Sequence, residues 1–286
     1  MLFRPDMKLH SAWLAAVALA AFAPHSCAAW DRGDGSSMRH PTVAEPDSEA
    51  AQGQYPFVVS LQWQPARGKR SRHICAGSLL SPVVVLTTAQ CLAERIGTED
   101  AGSRLVLVID RSDLDDPLHG VERHPLRRSD GTARIFVHPG YKGEPTYDVA
   151  VIQLDEPVMV PVRPTVPPAG GTGLPIGEWM TAGWAAGESR LRRVGVTLLD
   201  DDLCRRRYGE VFDSDHLLCA GEEAGVVSCT DGGGSPLFSS GRNQRRPVQI
   251  GVAVPVPGCE GPGPHPYLKL DEPEVRAFLS RFVPVF

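Results

Sequence analysis

Few residues in this chain combine side-chain types and spacing that could do chemistry. One stretch, Cys229-Thr230-Asp231-Gly232-Gly233-Gly234-Ser235-Pro236-Leu237, puts two hydroxyls and a carboxylate in a glycine-rich turn. Asp148 heads an apolar run over residues 149–154, Gln90 stands beside Cys91, and His73 lies two residues before Cys75. Attack of a hydroxyl on a peptide carbonyl needs a base within hydrogen-bond reach and donors for the oxyanion. Gln90 cannot be that base, because an amide has no nitrogen that titrates near neutral pH. Gly233 offers no attacking atom at all.

The elements that must position these groups read mostly as strands. Gly53-Gln54-Tyr55-Pro56-Phe57-Val58-Val59-Ser60-Leu61-Gln62 alternates apolar and polar residues and carries a β-branched pair. The run 83–86 is continuously apolar, as in a buried strand. Residues 105–109, 133–137, 148–154, 181–184 and 249–254 are further short β-type runs. Near the end, Asp271 is expected to cap a helix with Glu274 three residues on, and Val275, Phe278, Leu279 and Phe282 fall on one face. Residues 161–175 are rich in Pro and Gly and read as a surface connection.

The 286 residues suffice for one large all-β domain or two small ones. Residues 1–29 read as a secretory signal peptide: Arg4 and Lys8 give a positive start, residues 11–23 a short apolar run, and Cys27-Ala28-Ala29 small residues for cleavage. That run is short of the ~20 residues a spanning helix needs, so no membrane span is expected. Residues 30–52 are polar and read as a loose N-terminal segment, with the folded part, 53–286, following. Loss of Arg4, Lys8 and Asp6 with the signal leaves a net charge of −6. Whole-molecule attraction to nucleic acid or an anionic membrane is thereby disfavoured. Of seven cysteines, six remain after Cys27 departs: Cys75, Cys91, Cys204, Cys219, Cys229 and Cys259. An even number in a secreted chain implies disulfides, for which spacing alone allows 15 pairings. No Cys/His spacing points to a metal site, and no cofactor is expected.

The glycine-rich stretch resembles the nucleophile loop of trypsin-like serine proteases, Cys-x-Gly-Asp-Ser-Gly-Gly-Pro-Leu, without a gap. Thr87-Thr88-Ala89-Gln90-Cys91 resembles that family's general-base segment, and Asp148-Val149-Ala150-Val151-Ile152-Gln153-Leu154 its aspartate strand. The resemblance implies an all-β fold of two six-stranded antiparallel β-barrels with a C-terminal α-helix. It also implies the pairing Cys75–Cys91, Cys204–Cys219 and Cys229–Cys259. By the same alignment Gln90 replaces the base, Gly233 replaces the nucleophile, and Asp148 is the one triad member kept, expected to hydrogen-bond the Gln90 amide. Ala44-Glu45-Pro46-Asp47 stands where active relatives expose Ile-Val-Gly-Gly on cleavage, and Gly232 stands at the aspartate that the new ammonium group would meet.

Other site positions depart from the family as well. The oxyanion donors would be the N–H groups of Asp231 and Gly233, with a carboxylate at Asp231 opposing the charge that develops. The primary pocket would be lined by Val227, Val254, Val256 and His265, each too large or too apolar for the family's pattern. A displaced attack by Ser235 or Thr230 is not expected, since no histidine aligns with the base and catalytic geometry tolerates little error. A zymogen-like lock is weighed instead: Asp231 reaching His73, which would favour the charged imidazole and raise its pKa. His138, in His138-Pro139-Gly140-Tyr141, is expected to be structural.

The sequence therefore describes a secreted, non-catalytic serine protease homolog. Its expected role is that of a protein-binding cofactor, decoy or regulator in an extracellular protease or immune cascade, with an extracellular protein partner. One alternative is an active serine endopeptidase. The other is a binder of glycans or pathogen surfaces through Arg67, Lys69, Arg70 and Arg72, with further basic groups at Arg190, Arg192 and Arg193, at Arg205, Arg206 and Arg207, and at Arg242, Arg245 and Arg246.

Overall fold

The computed structural model describes residues 47–65, 70–93, 104–125, 129, 133–161, 163–164, 178–222, 233–239, 246–259, 261 and 263–284. Residues 1–46, including the expected signal, lie outside these, as does nearly all of the Pro/Gly-rich connection. Among the described residues no helix is long and apolar enough to cross a membrane.

Two antiparallel sheets carry the fold. The first contains β2 (Val58–Gln64), β3 (Arg72–Ser81), β4 (Val84–Thr87), β5 (Arg104–Ile109), β6 (Val121–Arg123), β7 (Ile135–Val137) and β8 (Ala150–Gln153). Its order is β6-β5-β2-β3-β4-β8-β7. It curls without closing, and an isolated bridge joins Pro125, just past β6, to Leu154, just past β8. The second contains β1 (Ser48–Glu49), β9 (Trp179–Gly183), β10 (Arg192–Leu198), β11 (Leu217–Glu222), β12 (Pro236–Ser239), β13 (Val248–Ala253) and β14 (Gly263–Lys269). Its order is β1-β10-β11-β14-β13-β12-β9, and β9 also pairs with β10. Six of its strands therefore form a closed barrel, which removes their edges, and β1 is added outside it. That addition matters, because strand pairing begins ahead of Gly53, the expected start of the folded part.

The sequence patterns account for these elements. β4 is buried along its whole length, as its unbroken apolar run requires. β2 alternates but is buried over its first five residues, because its outward face meets the second barrel. There Phe57 packs edge-on against Phe238 of β12 at 5.2 Å between ring centroids, and Tyr55 packs on Phe238 at 5.4 Å. Such pairs add roughly 0.5–1.5 kcal/mol beyond the area they bury. One core cluster joins Leu61, Leu79, Ile109 and Ile152 of the first sheet to Met180, Trp184 and Phe238 from the other side. Burial at the barrel junction thus fixes the cleft between the two sheets.

Among the described residues there are also three short α-helices, α1 (Ala89–Ala93), α2 (Asp201–Tyr208) and α3 (Pro273–Leu279), and a 3-10 turn over Gly209–Val211 after α2. The cap of α3 is not Asp271 but Glu272, whose carboxylate accepts from Val275 N at 2.7 Å. The reason is Pro273, whose fixed φ suits the first helical position and sets the cap one residue before it. Val275, Phe278 and Leu279 are buried as the spacing implied. His138 is structural: its Nδ1 accepts from Gly140 N at 3.1 Å, and Nε2 faces the Glu274 carbonyl at 3.3 Å. The imidazole is thus held between a turn of the first barrel and α3.

Candidate functional site: a filled cleft

The disulfides frame the site. Cys75–Cys91 ties β3 to α1, and Cys204–Cys219 ties α2 to β11. Cys259 is also disulfide-bonded, with its partner outside the described residues, where Cys229 lies.

Asp148 sits at the base of the cleft with 1% of its surface exposed. Its Oδ1 accepts from the backbone N–H of Gln90 at 2.7 Å, and the N–H of Ala89 also points to the carboxyl. The expected bond to the Gln90 side-chain amide is not made, because that side chain is exposed and turns to solvent instead. Asp148 therefore caps the first turn of α1, whose leading N–H groups have no partner within the helix. Its Oδ2 is buried without a hydrogen-bond partner. Burial pushes the Asp148 carboxyl up to about 7, against the lowering effect of those two N–H groups.

On the opposite wall, Gly233 and Gly234 run through left-handed backbone at φ 75° and 89°. Three hydrogen bonds pin the loop: Ala76 N to Gly233 O at 3.0 Å, Gly234 N to Ala253 O at 2.8 Å, and Ala253 N to Ser235 O at 2.9 Å. A Cβ on Gly233 would fall 2.6 Å from Pro255 Cδ and 2.7 Å from Ala253 O. A Cβ on Gly234 would collide with the Ala76 carbonyl. Position 233 is thus closed to any side chain unless Pro255 or Ala253 moves. Ser235 is only 3% exposed, so it presents no hydroxyl to a substrate.

Three of the residues expected to line the primary pocket are described. Val254 and Val256 are 0% and 5% exposed and join a cluster with Val84, Leu86, Val149 and Leu268. His265 is 3% exposed on β14, opposite Ala220 of β11. Val227, Cys229, Thr230, Asp231 and Gly232 lie outside the described residues.

His73 departs from expectation in charge. Its Nδ1 lies 2.7 Å from Ser60 Oγ, which also accepts from Gln62 Nε2 at 3.2 Å. Ser60 thus links His73 to Gln62 in one short hydrogen-bond chain. The ring lies 5.4 Å from that of Trp184. Burial pushes the imidazole down to about 4, the opposite of the rise that a carboxylate partner would bring.

The open concavity lies to the side. A groove of about 800 Å³ runs beside Cys75–Cys91, lined among others by Gln62, Gln90, Arg72, Arg111, Asp115 and Glu188. Arg70 at its mouth is 90% exposed and 3.5 Å from Asp115, while Arg111 is held by Glu122 at 3.2 Å. Arg242 and Arg245 lie outside the described residues, and several of the other basic groups are engaged within the chain. Arg190 pairs with Glu49, Arg192 with Asp47, and Arg205 with Asp202. Arg67 and Lys69 lie outside the described residues.

Three features of the site escaped the sequence: the proline that closes Gly233, the serine and glutamine behind His73, and the solvent-facing turn of Gln90. Only the Gly233-Gly234 pair gave a signal, as a place where backbone must approach backbone.

The family model described as Trypsin matches residues 46–272. The venom peptide isomerase heavy chain of Agelenopsis aperta is 29% identical over 207 residues, 67% of this chain and 80% of that protein. The suppressor of tumorigenicity 14 protein homolog of Bos taurus is 29% identical over 224 residues, 73% of this chain but only 24% of that much longer protein.

Proposed function

This chain belongs to the trypsin family, and we propose that within it the chain is a secreted, non-catalytic member that works by binding a protein. The observation that carries this reading is the closure at Gly233. A family member can lose its reaction through one side chain and keep its cleft. Here the attacking atom is absent, the base position holds an amide that faces solvent, and a proline occupies the space a serine would need. Loss of nucleophile or base alone costs about a millionfold in the subtilisin example.

The role follows as a cofactor, decoy or regulator in an extracellular protease or immune cascade. Disulfides and the signal-like start support an extracellular setting. The groove beside Cys75–Cys91 has room for a partner. Its acids Asp115, Glu122 and Glu188 stand among its arginines, which favours a polypeptide of mixed charge over a polyanionic glycan.

The test incubates the purified protein, before and after limited proteolysis, with a fluorophosphonate probe and a broad peptide library. No labelling and no turnover are expected. Stoichiometric labelling of a cleft residue together with turnover establishes the active endopeptidase instead. Heparin retention that collapses with salt and with Arg70→Ala/Arg72→Ala would favour the glycan reading.

A further inference from the structure

Residues 47–52 carry more anchors than a leading peptide needs. On the second barrel, β1 pairs with β10 in the register Ser48 to Arg193 and Glu49 to Arg192, and Ala50 N donates to Leu191 O at 2.8 Å. Arg192 grips Asp47 with two prongs, Nε to Oδ1 and NH2 to Oδ2, both at 2.9 Å. The two side chains are only 28% and 15% exposed, and a fork of this kind is stronger and more directional than a single contact. Arg190 adds a contact to Glu49 at 3.1 Å.

The same segment holds the first sheet. Gln52 Oε1 accepts from Ser112 N at 2.9 Å, Gln52 Nε2 donates to Asp110 O at 2.7 Å, and Ser112 Oγ donates to Ala51 O at 3.1 Å. Asp110 turns the chain at φ 57°, a left-handed conformation that aspartate tolerates better than most residues. The two barrels meet at this place as well, through Leu191 N to Ser112 O at 2.6 Å and Leu114 N to Ser189 O at 2.8 Å. Three separate parts of the chain, 47–52, 110–114 and 188–193, thus form one hydrogen-bonded junction.

We propose that residues 47–52 are a permanent strap, which fixes the two barrels in their working arrangement and takes the place of an activation switch. Asp47 falls on the last position of the tetrapeptide that active relatives free by cleavage. A glycine there leaves the segment to be held by its new terminus. A carboxylate there gives the segment its own anchor on the outer face of the second barrel, independent of any terminus. Cleavage upstream of Asp47 then releases nothing that the fold uses. The proposal concerns conformation and holds whether or not the cleft is catalytic.

The experiment uses the full chain with a specific-protease recognition sequence inserted immediately before Ala44. Hydrogen exchange and Tm are compared before and after cutting, and in Arg192→Ala, Arg192→Lys and Asp47→Asn. Cutting should leave Tm and exchange over 178–198 and 233–239 unchanged. Arg192→Ala should speed exchange at 48–52 and 110–114 by about tenfold or more and lower Tm by several degrees, and Arg192→Lys should recover only part. Asp47→Asn is the milder variant and should give the same pattern if Arg192→Ala does not fold. The strap is overturned if cutting slows exchange over 233–239 or raises Tm by several degrees. It is equally overturned if neither Arg192→Ala nor Asp47→Asn alters exchange at 48–52.

Discussion

The two walls of the central cleft have changed in different ways. On the first-barrel wall the acid remains: Asp148 is buried and keeps a hydrogen-bonding role toward α1. Only the side chain above it has changed, and Gln90 stands exposed with space around it. On the second-barrel wall Gly233 is pressed against Pro255, and Val254, Val256 and His265 are buried. The first wall keeps room around position 90; the second leaves none for a side chain at 233. Reversal at one residue is therefore sterically open at 90 and closed at 233.

The largest expected effect tests the closed wall. Gly233→Ser must place a side chain at φ 75° and within 2.6 Å of Pro255 Cδ. Left-handed strain and overpacking each cost about 1–3 kcal/mol, so urea unfolding should show a loss of roughly 2–6 kcal/mol. Adding Pro255→Ala should return part of it. A Gly233→Ser protein as stable as the parent would mean that the wall is open.

Asp148 tests the other wall through pH. Its folded-state pKa of about 7 stands above the ordinary 3.8, so the fold favours the protonated carboxyl. Its contribution is present below pH 4 and is lost as pH rises toward 7. Asp148→Asn removes that loss while keeping an oxygen for the α1 N–H groups. It should gain on the order of 1–4 kcal/mol at pH 8 and almost nothing at pH 4. A destabilised Asp148→Asn at pH 8 would show the carboxylate to be needed in its charged form.

His73 works in the reverse sense. Its imidazole, pushed down to about 4 from 6.5, is neutral in the fold, so its contribution is lost as pH falls from 6.5 to 4. The two groups offset one another across that interval, and the Asp148→Asn protein should be the more acid-sensitive of the two. An NMR titration of the His73 ring should give a midpoint near 4, unchanged in Asp231→Asn. A midpoint above 6.5 that drops in Asp231→Asn would establish the Asp231–His73 lock.

The smallest effect belongs to Gln90. An exposed substitution such as Gln90→His should change stability by no more than about 0.5 kcal/mol. A larger loss would place the Gln90 side chain in contacts that the open first wall does not make.

Much of this could be read from the sequence, for definite reasons. Strand runs such as 105–109 and 249–254 became β5 and β13 because their apolar residues had a face to bury. Disulfide spacing carried Cys75–Cys91 and Cys204–Cys219 once the family resemblance had selected the pairing. The reading of Gly233 and Gln90 as unable to attack or to act as base rests on side-chain chemistry alone. What escaped depended on contacts between distant residues. Pro255 lies 22 positions from Gly233, and only the pairing of β12 with β13 brings their neighbourhoods together. Gln90 and Asp148 were expected side chain to side chain, but α1 offers its backbone first. The depressed His73 reflects its burial, to which Trp184, distant in the chain, contributes a packed ring. Asp47 and Arg192, whose charges form the best-enclosed ion pair of the strap, lie far apart in the chain and carry no local motif.

The most direct test of the closed wall is an attempt to restore the reaction. Gln90→His/Gly233→Ser supplies both missing side chains beside the retained Asp148, and labelling by a fluorophosphonate probe reports whether they assemble. The double variant should remain unlabelled, as the parent does, because Pro255 and Ala253 occupy the space the serine requires. Stoichiometric labelling of Ser at position 233 in the folded double variant would show an intact cleft missing only two side chains, and would contradict the closure of that wall.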